Sequence, residues 1–235
     1  MSNFVALHNQ HHQQLRIDTQ LIESLGATNN MVPVVISEFL RLVVHYPIVF
    51  TKSSETGNFL CVALLGFESG ENLFWNNNQW QSIYTPLNIM RQPFFIGHEN
   101  NQALICIDTD SHTLTTGQGE AIFDSTGKET DYLQKIKARL AELLEGEKHT
   151  QEFIKALLAL NLIMPMALDI SFANAQQQRV QGLYTINEER LAQLDATQLV
   201  TLQQQGYLQP IYTMVASLGQ IYALIQKKNE RLDNA

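Results

Sequence analysis

The chain has 235 residues, a length that suits one large domain or two small ones. Hydrophobic residues make up 45% of it, enough to fill a core, which excludes a disordered chain. The formal net charge of −8 repels phosphate and anionic lipid, so we expect neither nucleic-acid binding nor adsorption to a membrane surface.

The sequence predicts neither export nor insertion into a membrane. The N-terminus lacks a basic stretch followed by an apolar one, so no secretory signal is predicted. The longest apolar run, Ala156 to Leu168, is too short to span a bilayer and contains Asn161 and Pro165. Cys61 and Cys106 lie in apolar runs and are expected to be free, buried thiols. A cytoplasmic location follows as the default expectation.

The first part of the chain, residues 1–125, is predicted to be rich in strands. Pro47 ends a short helix because the residue before a proline avoids the α region. The predicted elements are an extended Val32–Val35, a helix over Ile36–His45, a strand over Pro47–Phe50, a buried strand over Phe59–Gly66, a loop and hairpin over Phe67–Pro93, and a buried strand over Ala103–Ile107.

The second part, residues 126–235, is predicted to be mainly helical, with a turn at Thr126 to Thr130 as its start. The predicted elements are a helix over Asp131–Glu145, a second helix after Gly146, a hairpin of strands Met166–Phe172 and Val180–Ile186, a helix capped by Asn187, and a final helix with an apolar stripe from Ile211 to Ile225. We therefore predict a mixed α/β (α+β) fold around a mixed sheet, in a single domain over residues 1–235.

Three histidines stand close together near the start of the chain. His8, His11 and His12 lie within five residues and could bind a soft divalent metal. No carboxylate or cysteine stands at close spacing to complete such a site. The simpler interpretation, which we favour, is a solvated chain end.

A group of acidic residues follows the buried strand Ala103–Ile107. Asp108 and Asp110 would emerge on one side of the strand end, with Glu120 and Asp124 further along the chain. Such carboxylates could hold a hard cation or divide acid and base roles. Aspartates in this setting are also common in turns, where they accept hydrogen bonds from the backbone.

The stretch from Asn72 to Phe95, called the aromatic segment here, is the least generic part of the sequence. It contains both tryptophans of the chain, Trp75 and Trp80, and an arginine, Arg91. Aromatic side chains with polar groups beside an arginine suit a planar, anionic or peptide ligand.

The same stretch has a purely structural interpretation. Asn76-Asn77-Asn78 is typical of a hairpin turn, because asparagine tolerates the left-handed conformation. The aromatic rings would then pack on the core, and Arg91 would pair with a carboxylate such as Glu38. The sequence leaves both interpretations open. It contains no nucleophile elbow, phosphate loop, zinc motif or C-x-x-C pair, so no catalytic residue is predicted.

Several short blocks carry a resemblance to a known family. They are His12, Leu15 and Arg16; Val32-Pro33, Glu38-Phe39 and His45 to Phe50; LLG, ENLFW, Trp80, Tyr84 to Pro86 and Arg91 to Phe94; and Gly182 to Tyr184, Asn187 to Glu189 and Ser217 to Gln220. In this order and spacing the chain resembles the bacterial SapC-like family over nearly its whole length. Gln92 departs from the pattern, which has a second basic or aromatic residue beside Arg91.

The resemblance implies a function but no catalytic residues. Members resemble partners of systems that contain halogenase-like enzymes, cupin-like oxygenases and outer-membrane uptake receptors. We therefore expect a non-catalytic accessory or ligand- or peptide-binding protein without a cofactor or metal. The alternatives are a small-molecule enzyme that uses the acidic residues, with or without a metal, and a structural protein of a surface layer. The residues predicted to bind a ligand are Glu38, Tyr46, Trp75, Trp80, Tyr84, Arg91, Asp108, Asp110 and Glu120.

Overall fold

The computed structural model describes residues 3–99 and 102–233. It is 37% helical and 26% strand, which confirms the predicted α+β class. Within the described residues, no helix is long and apolar enough to cross a membrane.

The helices of the described residues are concentrated in the second part of the chain. The α-helices are α1 (Phe39–Leu42), α2 (Leu87–Met90), α3 (Asp131–Ala159), α4 (Glu188–Ala192), α5 (Ala196–Gln204), α6 (Leu208–Ser217) and α7 (Gln220–Asp233). Three 3-10 helices lie in the first part, at Thr19–Leu21, Glu23–Gly26 and Ile36–Glu38. The predicted helix over Ile36–His45 is thus a 3-10 turn that continues into the short α1.

The strands fall in both parts of the chain. They are β1 (Phe4–Ala6), β2 (Arg16–Ile17), β3 (Met31–Pro33), β4 (Ile48–Lys52), β5 (Phe59–Leu64), β6 (Trp75–Asn76), β7 (Gln79–Trp80), β8 (Phe94–Glu99), β9 (Gln102–Asp108), β10 (Leu114–Thr115), β11 (Glu120–Ala121), β12 (Ile163–Ser171) and β13 (Gln177–Ile186). The predicted strands over Phe59–Gly66 and Ala103–Ile107 and the hairpin after α3 are confirmed.

The largest sheet joins the two parts of the chain. Its five strands lie in the order β12-β13-β4-β5-β3. Each pairing is antiparallel, so the sheet is not the mixed one predicted from the sequence. Short loops join β4 to β5 and β12 to β13, and short loops can join only antiparallel neighbours. The predicted single domain over residues 1–235 stays a prediction.

Helix α3 is one continuous helix of 29 residues. The prediction that it ends at Glu145 and restarts after Gly146 is therefore wrong. A Cβ at position 146 would lie 2.8 Å from Cβ of Val35, so the glycine allows close packing rather than ending the helix. The final helix is also not continuous as predicted, because α6 ends at Ser217 and α7 begins at Gln220.

The two ends of α3 belong to different hydrophobic clusters. Leu133, Ile136 and Leu140 pack with Ile17, Phe94 and Ile107 beneath the β1-β9-β8 sheet. Phe153, Ile154 and Leu157 pack in the larger cluster beside the five-stranded sheet. The middle of α3 lies between the clusters.

Three hydrogen bonds fix the elements around the middle of α3. The side-chain amide of Asn88 in α2 donates to the carbonyl of Pro33 (2.9 Å). The guanidinium of Arg139 in α3 donates to the carbonyl of Met90 (3.1 Å). The hydroxyl of Thr150 in α3 accepts from the amide of Ile36 (3.0 Å). Together they hold α2 and the end of β3 alongside α3.

Candidate functional site

The hairpin predicted in the aromatic segment is present. Trp75 in β6 pairs with Trp80 in β7. Asn77 and Asn78 form the turn with φ angles of 49° and 59°, the left-handed values that suit a two-residue hairpin turn. The indole of Trp80 is buried, and Trp75 is half-buried.

A buried hydrogen-bond network surrounds Trp80. Its indole N–H donates to the hydroxyl of Tyr46 over 2.8 Å. The Tyr46 hydroxyl donates to the carbonyl of Tyr84 over 2.6 Å and also contacts the hydroxyl of Ser82. Burial raises the pKa of Tyr46 to about 12, so this hydroxyl stays protonated at neutral pH.

Glu38 is a second buried polar group, at 0% exposure. Its carboxylate accepts hydrogen bonds from the Tyr84 hydroxyl (2.8 Å), the Leu87 amide (2.8 Å) and the Val35 amide (3.2 Å). Burial raises the pKa of Glu38, although these hydrogen bonds and Arg41 oppose the effect. The prediction that Arg91 pairs with Glu38 is wrong, because the partners of this carboxylate are a tyrosine and two backbone amides.

Two of the four acidic residues that follow the strand Ala103–Ile107, Asp108 and Asp124, accept hydrogen bonds from the backbone. Asp108 accepts from the amides of Asn3 (2.9 Å) and Asp110 (3.1 Å). Asp124 accepts from the amides of Thr126 (2.7 Å) and Lys128 (3.0 Å), and the hydrogen bonds of this turn lower its pKa. The carboxylates of Asp110 and Glu120 are exposed.

Two of the three N-terminal histidines, His8 and His12, stabilise a turn. The ring Nδ1 of His12 accepts from the amide of His8 (2.9 Å), and the ring Nδ1 of His8 accepts from the amide of Gln10 (3.2 Å). A lone pair that accepts a backbone amide is not free for a metal. Within the described residues, no cluster of three or more histidine, cysteine, aspartate or glutamate side chains could hold a metal ion.

Two adjoining clefts lie along the middle of α3, and together we call them the α3 groove. The first has a volume of about 440 Å³ and is lined by Pro33, Val34, Val35, Leu60, Cys61, Asn88, Leu144, Glu147, Lys148, Thr150 and Gln151. The second has a volume of about 160 Å³ and is lined by Asn88, Arg91, Phe95, Ile96, His98, Leu140, Leu143, Leu144 and Glu147. The shared residues Asn88, Leu144 and Glu147 mark where the clefts meet.

Arg91 is held rigidly in the second cleft. Its Nε donates to the side-chain oxygen of Asn88 (2.8 Å), and its Nη1 donates to the carbonyl of Phe94 (2.7 Å). The guanidinium carbon lies 4.2 Å from the ring centroid of Phe95, so one face of the cation is stacked. Arg91 is partly buried, yet it forms no ion pair with any side chain that the structure describes.

The electrostatics of the second cleft follow from this lack of a partner. Burial lowers the pKa of the Arg91 guanidinium, and Glu147 acts in the opposite direction without reaching ion-pair distance. Glu147 is exposed and has no hydrogen bond to the described part of the protein. A positioned cation beside an open space is suited to receive an anionic group of a ligand.

The nine residues predicted to bind a ligand do not lie together in the structure. Arg91 lines the groove; Glu38, Tyr46, Trp80 and Tyr84 form the buried network; and Trp75, Asp108, Asp110 and Glu120 lie elsewhere. Of the remaining wall residues, Asn88 and Phe95 lie in the aromatic segment. Glu147 and Leu144 showed no signal in the sequence beyond their place in a helix.

Comparison with known proteins places the chain in a family. A family model described as SapC matches residues 7–224. The chain belongs to the SapC family. Searches of curated proteins and of solved structures found no match. The SapC match covers every residue of the α3 groove, from Pro33 to Gln151.

Proposed function

We propose that this SapC-family protein is a non-catalytic binding protein that holds a small carboxylate ligand in the α3 groove. The ligand's carboxylate binds Arg91, and its apolar part occupies the first cleft. The observation that carries the proposal is the state of Arg91: held in place, partly buried and without a carboxylate partner among the described side chains.

The geometry of Arg91 supports a prearranged anion site. Asn88 accepts from Nε and the Phe94 carbonyl accepts from Nη1, so two of the three guanidinium nitrogens are fixed, and Phe95 covers one face. The ligand therefore need not immobilise the side chain, which lowers the entropic cost of binding. Nη2 has no hydrogen bond to the described residues, so it is open to a carboxylate oxygen.

The first cleft supports an apolar body on the ligand. Its walls include Val34, Val35, Leu60 and Leu144, and its volume of about 440 Å³ lies within the ordinary range for small-molecule sites. Leu144 is exposed, although leucine is usually buried. A ligand that covers it would remove this apolar surface from water.

We further propose that the protein acts beside a modifying enzyme or an uptake system. A binding protein without catalytic groups can retain or present a ligand for a partner. The partner that the family resemblance suggests is a halogenase-like or cupin-like enzyme. The carboxylates of Asp108 and Asp124 accept backbone amides, which gives no support to the alternative of an acid–base enzyme.

The test uses calorimetric titration with 3-phenylpropionate, which has a carboxylate and an apolar ring. Arg91→Met should weaken binding by about 10- to 100-fold, because a hydrogen bond to a charged group contributes about 1.5–3 kcal/mol. Arg91→Lys should restore only part of the affinity, because lysine lacks the planar fork. Circular dichroism would establish that each variant is folded.

Arg16→Met is the matched control. Arg16 is partly buried like Arg91 and donates to a backbone carbonyl, that of Gly119 (2.9 Å), but it does not line the groove. We expect it to leave the affinity unchanged. Equal losses in the Arg91→Met and Arg16→Met variants, or a failure of the native protein to bind carboxylates, would overturn the proposed function.

A further inference from the structure

We infer that the ligand of the α3 groove is an α-amino acid with a large apolar side chain, and that Glu147 binds its ammonium group. This inference rests on the proposed function, because it requires the ligand carboxylate to lie on Arg91. Beyond the proposed function, it adds a second charged contact, between Glu147 and the ligand's ammonium group. It also names the chemical class of the ligand.

The first support is that the second cleft contains one unpaired charge of each sign. Arg91 and Glu147 both line it, yet they do not pair with each other. They are close enough for Glu147 to oppose the loss of the arginine proton. A zwitterion placed between them would give each charge an opposite partner, whereas a simple carboxylate would satisfy only Arg91.

The second support is that Arg91 cannot turn towards Glu147 without losing its own contacts. Its Nε and Nη1 are bound to Asn88 and the Phe94 carbonyl, and its face is stacked on Phe95. Glu147 extends from α3, which is fixed by packing at both ends. The space of about 160 Å³ between these walls has room for several water molecules, and therefore for an α-carboxylate and an α-ammonium group.

The third support is the order of the groups along the groove. Glu147 and Asn88 lie where the two clefts meet, and Arg91 lies only in the second cleft. An amino acid with its carboxylate on Arg91 would place its ammonium group at the junction. Its side chain would then extend from the junction into the apolar first cleft.

Two other polar residues of the groove, Asn88 and Thr150, already have partners within the protein. Both side-chain atoms of Asn88 are already used, by the Pro33 carbonyl and by Arg91, so Asn88 orients the site. The hydroxyl of Thr150 donates to the Gly146 carbonyl (2.7 Å). Glu147 is therefore the one carboxylate that lines the groove in the part of the chain described by the structure.

The experiment compares three probes that share one apolar ring. L-Phenylalanine carries both charges, 3-phenylpropionate lacks the ammonium group, and 2-phenylethylamine lacks the carboxylate. Calorimetric titration of the native protein should give the tightest binding for L-phenylalanine. We expect 3-phenylpropionate to bind about tenfold more weakly, and 2-phenylethylamine to show the weakest binding.

The decisive variant is Glu147→Gln. It should reduce the affinity for L-phenylalanine to that for 3-phenylpropionate and leave the affinity for 3-phenylpropionate unchanged. Glu152→Gln is the matched control, because Glu152 is exposed on the same helix, carries the same charge and does not line the groove. It should have no effect on either probe.

The outcomes distinguish a failure of the amino-acid inference from a failure of the proposed carboxylate-binding function. If 3-phenylpropionate binds the native protein as tightly as L-phenylalanine, the amino-acid inference fails and the carboxylate site stands. Equal losses in the Glu147→Gln and Glu152→Gln variants also overturn the inference. If neither carboxylate probe binds, the proposed function fails and the inference fails with it.

Discussion

The indole N–H of Trp80 donates a hydrogen bond of 2.8 Å to the hydroxyl of Tyr46, which in turn donates to the carbonyl of Tyr84. Tyr46→Phe would leave the buried indole N–H without its acceptor, whereas the Tyr84 carbonyl would keep the hydrogen bond from the Ser82 hydroxyl (2.8 Å). We expect the free energy of unfolding to fall by about 1–3 kcal/mol, as measured by urea denaturation. Tyr222→Phe, at a side chain that is 78% exposed, should change it by less than about 0.5 kcal/mol. Similar effects of the two substitutions would argue against the network.

The buried carboxylate of Glu38 predicts a pH dependence of stability. Burial raises its pKa above the ordinary value of 4.5, so the folded state binds this proton more tightly than the unfolded state does. The stabilisation is therefore complete below about pH 4.5 and is lost as the pH rises through the folded pKa. Relative to Glu38→Gln, the native protein should lose unfolding free energy from pH 4 to pH 7. A difference that stays constant or grows with pH would contradict this prediction.

Gly146 in the middle of α3 should not tolerate a larger side chain. Alanine normally stabilises a helix relative to glycine, by about 1 kcal/mol. Here its Cβ would lie 2.8 Å from Cβ of Val35, so we expect Gly146→Ala to lower the unfolding free energy by about 1–3 kcal/mol. Gly219→Ala is the control, because its Cβ would lie 3.5 Å from the nearest atom. A stabilised Gly146→Ala variant would show that the helix can shift away from Val35.

Lys228 attaches α7 to the loop before the aromatic segment. Its ammonium group, on a residue that is 8% exposed, lies 2.6 Å from Glu71 and 3.3 Å from Glu68. Lys228→Met would leave the nearly buried Glu71 carboxylate without a counter-ion. The expected cost is about 3 kcal/mol, the lower end of the range for broken buried ion pairs. Chemical denaturation would measure it, with hydrogen exchange of α7 as a local readout.

Lys227→Met provides the control for this prediction. It removes the same charge from the same helix, where the Lys227 ammonium group lies 5.2 Å from the Phe74 ring centroid. We expect a loss below about 1 kcal/mol. A Lys228→Met/Glu71→Gln double variant should recover part of the stability. If it is less stable than Lys228→Met alone, the ion pair is not the cause.

The local elements were predictable from the sequence where one short signal determined them. The Asn77-Asn78 turn is an example, because both residues adopt the left-handed conformation that asparagine tolerates. The continuity of α3 was not predictable, because Gly146 packs against Val35, a residue more than one hundred positions away in the chain. A glycine that permits close packing and a glycine that ends a helix have the same letter in a sequence.

The candidate site was predictable only in part. Arg91 was identified from its aromatic neighbours, and the structure places it on the Phe95 ring. Glu147 and Val34 could not be identified, because the groove brings together segments that are distant in sequence. The tryptophans were among the residues predicted to bind a ligand, yet Trp80 is 7% exposed and belongs to the core. Aromatic residues contribute strongly to both cores and binding sites, so their presence does not distinguish the two.

The uninterrupted helix α3 connects two regions that contain different core residues. Ile136 packs in one cluster near the start of the helix, and Phe153 packs in the other near its end. Loss of order at either end would remove part of the packing surface of the other, so we expect the two clusters to unfold in one cooperative step. A ligand that contacts only the middle of α3 should therefore slow amide hydrogen exchange at both ends of the helix. Ligand binding in the groove would therefore change the stability of both hydrophobic clusters, and not only that of the residues in contact with the ligand.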